Sequence, residues 1–180
     1  MNKIILSILI AFISCNNLRK TAEWNFETFQ KELVARHNEY RKKHAASSLT
    51  ILKDLTILCQ KTVDNCKKIG RLHHRDFNLD DGTLVGQNLY FTNSTPTGNE
   101  VADNWYSDIE YYDYNGDKIE EKTSHFTQMV WKNTKQIGCA VAVDLLMTHL
   151  IIIMLDVIIY LQVTILGKKL TTFLLLLLKY

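Results

Sequence analysis

The sequence lacks an excess of charge of either sign. Its 21 Lys and Arg oppose 19 Asp and Glu, which leaves a net charge of +2, and no basic run is present. Nucleic-acid-binding proteins carry a clustered basic surface, so DNA and RNA are excluded as expected partners. Internal repeats and low-complexity stretches are also missing before residue 144. The 180 residues instead suit one domain with its own core.

Two familiar catalytic patterns are missing as well. The sequence contains neither the Gly-x-Ser-x-Gly turn of serine hydrolases nor the His-Glu-x-x-His pair of zinc peptidases. Cys59 and Cys66 follow a helical spacing, which is more typical of core residues than of nucleophiles. We therefore predict a protein that is not an enzyme.

Asn is absent from the last 36 residues, although the first 144 contain 13. Residues 145–180 hold 12 Leu and 6 Ile, which marks a break in composition. Read literally, residues 150–166 form a short membrane anchor, but Asp156 stands in the middle of that span. A central Asp costs about 2.5–3.5 kcal/mol for insertion.

The first 16 residues are typical of a secretory signal peptide. Lys3 precedes the ten-residue apolar run 4–13, which is too short to span a bilayer. Removal of residues 1–16 leaves Cys59, Cys66 and Cys139, and an odd number in a secreted protein predicts a free thiol or a missing partner. Asn93 begins a glycosylation sequon. We expect an extracellular protein.

Helical periodicity predicts helices over residues 26–43 and 52–69, with Gly70 as the C-cap of the second. The first helix is expected to expose Arg36, Arg41 and Lys42. A capping box at residues 97–100 predicts a third helix. Residues 83–91 and 136–143 have the character of strands. Helices around a small sheet predict an α/β sandwich.

The most specific motif is SHFTQMVWKNT at residues 124–134, followed by IGCA at 137–140. It resembles the first signature of the CAP superfamily, the SCP-domain group of cysteine-rich secretory proteins, venom allergens and pathogenesis-related proteins. RHNEYR at 36–41, GQNLY at 86–90 and VADNWY at 101–106 match other parts of that family in the same order. The resemblance implies an α-β-α sandwich and a secreted protein that binds a lipid or a protein.

The second signature of that family should follow, but the printed sequence does not contain it. Shifting the reading frame after Asp144 permits the missing signature, with Cys at the junction of codons 156 and 157. We therefore predict a CAP domain over residues 17–144 and a frameshifted remainder over 145–180. The resemblance implies that the shift disrupts the last strand and the second signature. It also removes a fourth Cys that is a plausible partner for Cys139.

The resemblance also implies a cleft lined by two His and two Glu that binds a divalent ion in some members. The matching residues are His74, Gln87, Asp108 and His125, with His73 as an alternative to His74. Gln87 is neutral and Asp108 is one methylene shorter than Glu, so we expect at most weak Zn²⁺ binding. The alternative is a hydrogen-bonded polar cluster without metal.

The predicted function is that of a secreted, non-enzymatic binding module for a lipid or protein partner. Two alternatives stay open: a metal-dependent hydrolase that uses His74, Asp108 and His125, and a membrane-tethered protein if the tail is real. The loop 115–123 is charged and lacks the aromatic pattern of sterol-binding relatives. A run of aromatic residues either lines a ligand groove or packs a helix end: Trp105, Tyr106, Tyr111, Tyr112 and Tyr114.

Overall fold

The computed structural model describes residues 24–74, 85–92, 94–116, 120–146 and 150–161. The proposed signal peptide and Asn93 lie outside the described residues. The helices are α1 (Phe26–Lys43), α2 (Lys53–Ile69), α3 (Gly98–Tyr106) and α4 (Ser124–Val130). Two 3₁₀ helices cover Ser107–Tyr111 and Glu121–Thr123. The strands are β1 (Thr50–Ile51), β2 (Val85–Thr92), β3 (Thr134–Leu146) and β4 (Leu150–Leu161).

The four strands form one sheet in the order β1-β3-β4-β2. β1 pairs with β3 in parallel, while β3 and β2 both pair with β4 in antiparallel orientation. The register aligns Cys139 with Val157 and Gln87 with Ile158. β4 therefore lies in the middle of the sheet, between the strand that carries Cys139 and the strand that carries Gln87.

β3 divides the core into two layers because successive residues of a strand point to opposite faces. Ile137 and Cys139 pack in the cluster that includes α1 and α3. Ala140 and Ala142 pack in the cluster of α2. A Cβ at Gly138 would clash with the backbone of α2 at Leu55, so glycine is needed where the helix crosses the strand. The arrangement confirms the predicted α-β-α sandwich.

α1 has the predicted bounds and begins at Asn25, whose side chain accepts a hydrogen bond from the Thr28 amide. The prediction that Arg41 faces solvent is wrong, because its side chain is fully buried. Its guanidinium donates to the carbonyl oxygens of Met129, Trp131 and Thr134, and its Nε donates to that of Ser47. These carbonyls belong to a loop, a helix end and the start of β3, where they need donors, so a cation at this position is stabilised in the core.

The ends of the next two helices also match their sequence signals. Gly70 adopts a φ of 72°, the left-handed conformation that favours glycine at a helix C-cap. Thr97 and Glu100 form the predicted capping box, in which each side chain bonds the backbone amide of the other residue. α3 then gives way to a 3₁₀ helix at Ser107, so Asp108 lies beyond the α-helix proper.

The expectation that the last strand is disrupted is wrong as far as the backbone is concerned, because a last strand does form. Residues 150–161 form β4 and pair with both neighbouring strands. Backbone pairing does not depend on side-chain identity, and Ile and Val favour extended structure. The residues of the second signature are still absent from the sequence. Within the described parts of the chain, no helix is long and apolar enough to cross a membrane.

Candidate functional site

Four elements position the residues that the sequence singled out. His74 follows α2, Gln87 lies in β2, Asp108 lies in the first 3₁₀ helix and His125 is the second residue of α4. The structure brings them together as two hydrogen-bonded pairs, His74 with Gln87 and His125 with Asp108.

In the first pair, Nδ1 of His74 lies 2.9 Å from Oε1 of Gln87. Because an amide oxygen only accepts, Nδ1 carries the proton and Nε2 of the neutral ring has a free lone pair. The Gln87 amide nitrogen donates in turn to the Thr62 hydroxyl at 3.5 Å. His74 therefore takes the position next to Gln87, and His73 is not the residue that makes this contact.

The surroundings hold His74 in its neutral form. Burial lowers the pKa of His74, and the hydrogen bond that its ring donates to Gln87 opposes that shift. Repulsion from the positive charges of His125 and His73 lowers the pKa further. A neutral imidazole at neutral pH can accept a hydrogen bond or bind a metal through Nε2.

In the second pair, Nδ1 of His125 lies 2.9 Å from Oδ2 of Asp108. Both side chains are half-buried, so the pair stands at the boundary between the protein and solvent. The carboxylate orients the ring and leaves Nε2 of His125 directed away from Asp108. Chemically, this pair can accept a hydrogen bond or a proton from a molecule in the cleft.

The buried side-chain amides of Asn88 and Gln128 pack next to the residues that carry the two pairs. Asn88, the neighbour of Gln87, donates from its side chain to the backbone carbonyl of His125 at 3.2 Å. The side-chain amide of Gln128 fills the space where a Cβ would stand at Gly86. Gly86 therefore permits α4 to lie directly on β2. The sequence analysis assigned no role to Asn88 or Thr62. For Asn88 the available signal was its position next to Gln87, and for Thr62 it was its position on the buried side of α2.

The aromatic residues between positions 105 and 114 fall into two groups, those that pack in the protein and those that are exposed to solvent. Trp105 is buried and donates from Nε1 to the Leu89 carbonyl at 3.1 Å. The Tyr106 ring stacks on Tyr40 with a centroid distance of 3.6 Å. Tyr111 and Tyr114, by contrast, are 58% and 66% exposed. The packing explanation therefore fits the first two residues, and a ligand surface can use the last two.

Tyr112 connects the exposed tyrosines to the cleft. Its ring contacts Phe126, the neighbour of His125, at 5.2 Å and Tyr114 at 4.9 Å, both edge to face. Tyr111 follows Asp108 by three residues in the same 3₁₀ helix. Side chains three apart eclipse each other in such a helix. We call Tyr111, Tyr114, Asp108 and His125 the tyrosine face.

The arrangement of the donor atoms differs from the one expected for a zinc site. Across the residues that the structure describes, no three His, Cys, Asp or Glu side chains are grouped so that they could hold a metal ion. The Nδ1 atoms of both imidazoles already bond to Gln87 and Asp108. This geometry fits two hydrogen-bonded pairs better than a three-ligand centre, and weak zinc binding stays a prediction.

Comparisons with known proteins agree with the resemblance and with the fold. A family model, described as the cysteine-rich secretory protein family (CAP), matches residues 34–145. The human Golgi-associated plant pathogenesis-related protein 1 is 37% identical over 110 residues, which cover 61% of this chain and 70% of that protein. Human cysteine-rich secretory protein 2 is 31% identical over 121 residues, which cover 63% of this chain but only 48% of that protein.

Solved structures extend the likeness to the fold. The structure of BmVAL-1 superposes with a TM-score of 0.59 and 19% sequence identity, and the match covers 78% of this chain and 80% of the other. At this identity, the likeness concerns the fold alone.

Proposed function

Because the chain belongs to the CAP family of cysteine-rich secretory proteins, we propose that it is a secreted module that acts by binding a lipid or protein partner through the tyrosine face. The proposal includes a domain over residues 17–144 preceded by a signal peptide. The names of two relatives describe one protein as secretory and the other as Golgi-associated. Secretion of this chain rests on its own N-terminal pattern of Lys3 and the apolar run 4–13.

The observation that carries the proposal is the exposure of Tyr111 and Tyr114 beside the His125–Asp108 pair. Tyrosine supplies a large rigid contact area and a hydroxyl, and it is enriched in protein interfaces. Lys122 lies over the Tyr111 ring at 5.9 Å and pairs with Glu120 at 2.9 Å, so charged groups surround the aromatic surface. An aromatic centre with a charged rim favours a protein partner over a lipid.

The polar groups of the cleft support binding more than catalysis. Gln87 stands where the resemblance predicts a carboxylate, and its amide cannot act as a general base. Both ends of that amide are engaged, one with His74 and the other with Thr62. The cleft therefore keeps hydrogen-bonding capacity at His74 and His125 but offers only one carboxylate, Asp108.

A photo-crosslinking amino acid at position 111 or 114 tests the proposal. Benzoylphenylalanine replaces an aromatic side chain with another aromatic side chain, so the surface is changed little. The matched control places the same probe at Phe91, an exposed aromatic residue of β2. The full chain is irradiated in the culture of the secreting cells. Electrophoresis then detects protein adducts, while solvent extraction and mass spectrometry detect lipid adducts.

The rival function is a hydrolase, and one observation favours it. A carboxylate that orients an imidazole, as Asp108 orients His125, is the arrangement that general bases use. Hydrolysis of activated esters by the full chain, with and without added Zn²⁺, tests this function. A rate that disappears in both His125→Ala and Asp108→Asn but persists in the control His44→Gln would support the hydrolase and overturn the binding proposal.

A further inference from the structure

The segment that carries most of the tyrosine face is strongly acidic. Residues 107–125 contain six Asp or Glu and two Lys, a net charge of −4, whereas the whole chain has +2. Asp108 is half-buried against His125. Four further carboxylates of the segment are exposed to solvent, those of Glu110, Asp113, Glu120 and Glu121. A ligand that approaches the exposed tyrosines therefore meets a negative potential.

The cations of the segment offset only part of this charge. Lys122 pairs with Glu120 at 2.9 Å. Among the residues that the structure describes, three exposed carboxylates of the segment form no ion pair: Glu110, Asp113 and Glu121. Two lysines cannot neutralise six carboxylates, so negative charge is left over for a partner.

The polar groups beside the tyrosines accept hydrogen bonds. The Asp108 carboxylate has no proton to donate, and its Oδ2 accepts the bond from Nδ1 of His125. With its proton on Nδ1, the neutral His125 ring offers only the lone pair of Nε2. A side chain that docks beside these two residues must therefore donate hydrogen bonds. Arginine supplies five N–H donors in a planar group that matches a carboxylate and stacks on aromatic rings.

The exposed tyrosine rings favour the same kind of side chain. The electron-rich face of a tyrosine ring attracts a cation within about 6 Å. The Tyr111 ring already has such a neighbour, because the Lys122 ammonium group lies 5.9 Å from its centre. Tyr114 is 66% exposed, and its ring packs edge to face on Tyr112 at 4.9 Å. Both the rings and the carboxylates therefore suit a cationic partner.

We propose that the tyrosine face binds an arginine-rich segment of a partner protein. This inference rests on the proposed function and adds the chemistry of the partner. An anionic lipid surface or a nucleic acid would be repelled by the net charge of −4. A neutral lipid would cover carboxylates without pairing them, which costs free energy. An arginine-rich segment pairs with the carboxylates and covers the rings at the same time.

Fluorescence anisotropy of the purified full chain with labelled synthetic peptides tests the inference. The probe is a short peptide in which Arg and Gly alternate, and matched peptides contain Lys or Glu in place of Arg. The charge variant is Glu110→Gln/Asp113→Asn/Glu121→Gln. Its matched control removes the same charge from other exposed positions, as Glu39→Gln/Asp54→Asn/Asp64→Asn. A third variant, Tyr111→Leu/Tyr114→Leu, keeps every charge.

We expect the Arg peptide to bind more tightly than the Lys peptide, and the Glu peptide not to bind. Binding should weaken as the salt concentration rises. The charge variant should bind on the order of tenfold more weakly, while its control loses much less. The tyrosine variant should also bind more weakly, with an unchanged salt dependence, because leucine lacks the electron-rich ring. Equal losses in the charge variant and its control, or equal binding of the Arg and Glu peptides, would overturn the inference.

Photo-crosslinking separates failure of this inference from failure of the proposed function. Mass spectrometry of the adduct formed at position 111 or 114 identifies the crosslinked segment. An adduct with an arginine-rich protein segment supports the inference. A lipid adduct, or a protein adduct without a basic segment, would overturn the inference but leave the proposed binding function in place. The absence of any adduct would instead contradict the proposed function.

Discussion

The Arg41 guanidinium in α1 donates a 2.9 Å hydrogen bond to the carbonyl oxygen of Met129 in α4, 88 positions later in the sequence. Three further carbonyls accept hydrogen bonds from the same side chain. Burial lowers the pKa of Arg41 to about 10, so the side chain stays charged at neutral pH. Arg41 thus joins the first helix to the segment that carries His125.

Arg41→Met should destabilise the fold by at least about 3 kcal/mol, because several buried carbonyls lose their donor at once. The neighbouring Lys42→Met is the control, since Lys42 is exposed and should change stability by less than about 0.5 kcal/mol. Urea denaturation of both variants measures the difference. Similar midpoints for the two variants would show that the carbonyl contacts of Arg41 contribute little.

His37 should make the fold sensitive to acid. Burial lowers its pKa to about 4, with the Leu33 carbonyl opposing the shift and the Arg41 charge adding to it. Its Nε2 has no hydrogen-bond partner among the described residues. The unfolded chain, with a His pKa near 6.5, binds this proton more readily, so stability falls as the pH drops from about 6.5 toward 4.

The loss attributable to His37 is on the order of 3 kcal/mol over that range. Burial also lowers the pKa of His44 and His74, and both act in the same direction. Unfolding free energies at several pH values measure the sum, and NMR titration of the His37 ring isolates its share. A His37 signal that titrates near 6.5 in the folded protein would contradict the prediction.

Zinc binding should depend on the charge at position 87. Gln87→Glu places a carboxylate next to Nδ1 of His74, where the amide oxygen lies at 2.9 Å. A tenfold gain in zinc affinity corresponds to about 1.4 kcal/mol and, at saturating zinc, raises the melting temperature by roughly 3–6 °C. Thermal melts with and without ZnCl₂ compare the two proteins, and His74→Ala should abolish the gain. A larger zinc shift in the wild type than in Gln87→Glu would refute the charge argument.

Sequencing the transcript across codons 144–180 should reveal an insertion or deletion that restores the second signature. The Cα partner of Cys139 is Val157, and the shifted frame permits Cys at the junction of codons 156 and 157. Directly paired residues of antiparallel strands lie about 4.5–5.5 Å apart, which is within disulfide range. The repaired chain should therefore contain fewer titratable thiols than the printed one. An intact printed frame would overturn the proposed frameshift.

The helices were predictable because their signals are local. The spacing of Phe29, Leu33 and Tyr40 fixed the buried side of α1, and Gly70 marked the end of α2. The burial of Arg41 was not predictable, since its partners come from residues about 90 positions away. The position of β4 was also missed, because backbone pairing leaves no distinct pattern in an apolar run.

For the candidate site as well, the residues could be predicted from the sequence but the contacts between distant residues could not. The resemblance supplied His74, Gln87, Asp108 and His125, but the pairing of each imidazole with a different partner depends on how β2 and α4 are placed. The distinction between buried and exposed aromatics likewise required tertiary structure, since Tyr106 and Tyr111 look equivalent in the sequence.

The yield of photo-crosslinked adduct at position 111, relative to position 91, tests the binding function most directly. Tyr111 and Phe91 are both exposed aromatic residues, but only Tyr111 lies on the tyrosine face. We predict one defined adduct at position 111 that is absent at position 91 and decreases in a His125→Ala background. Equal yields at the two positions, or no adduct at either 111 or 114, would contradict a binding module that uses this surface.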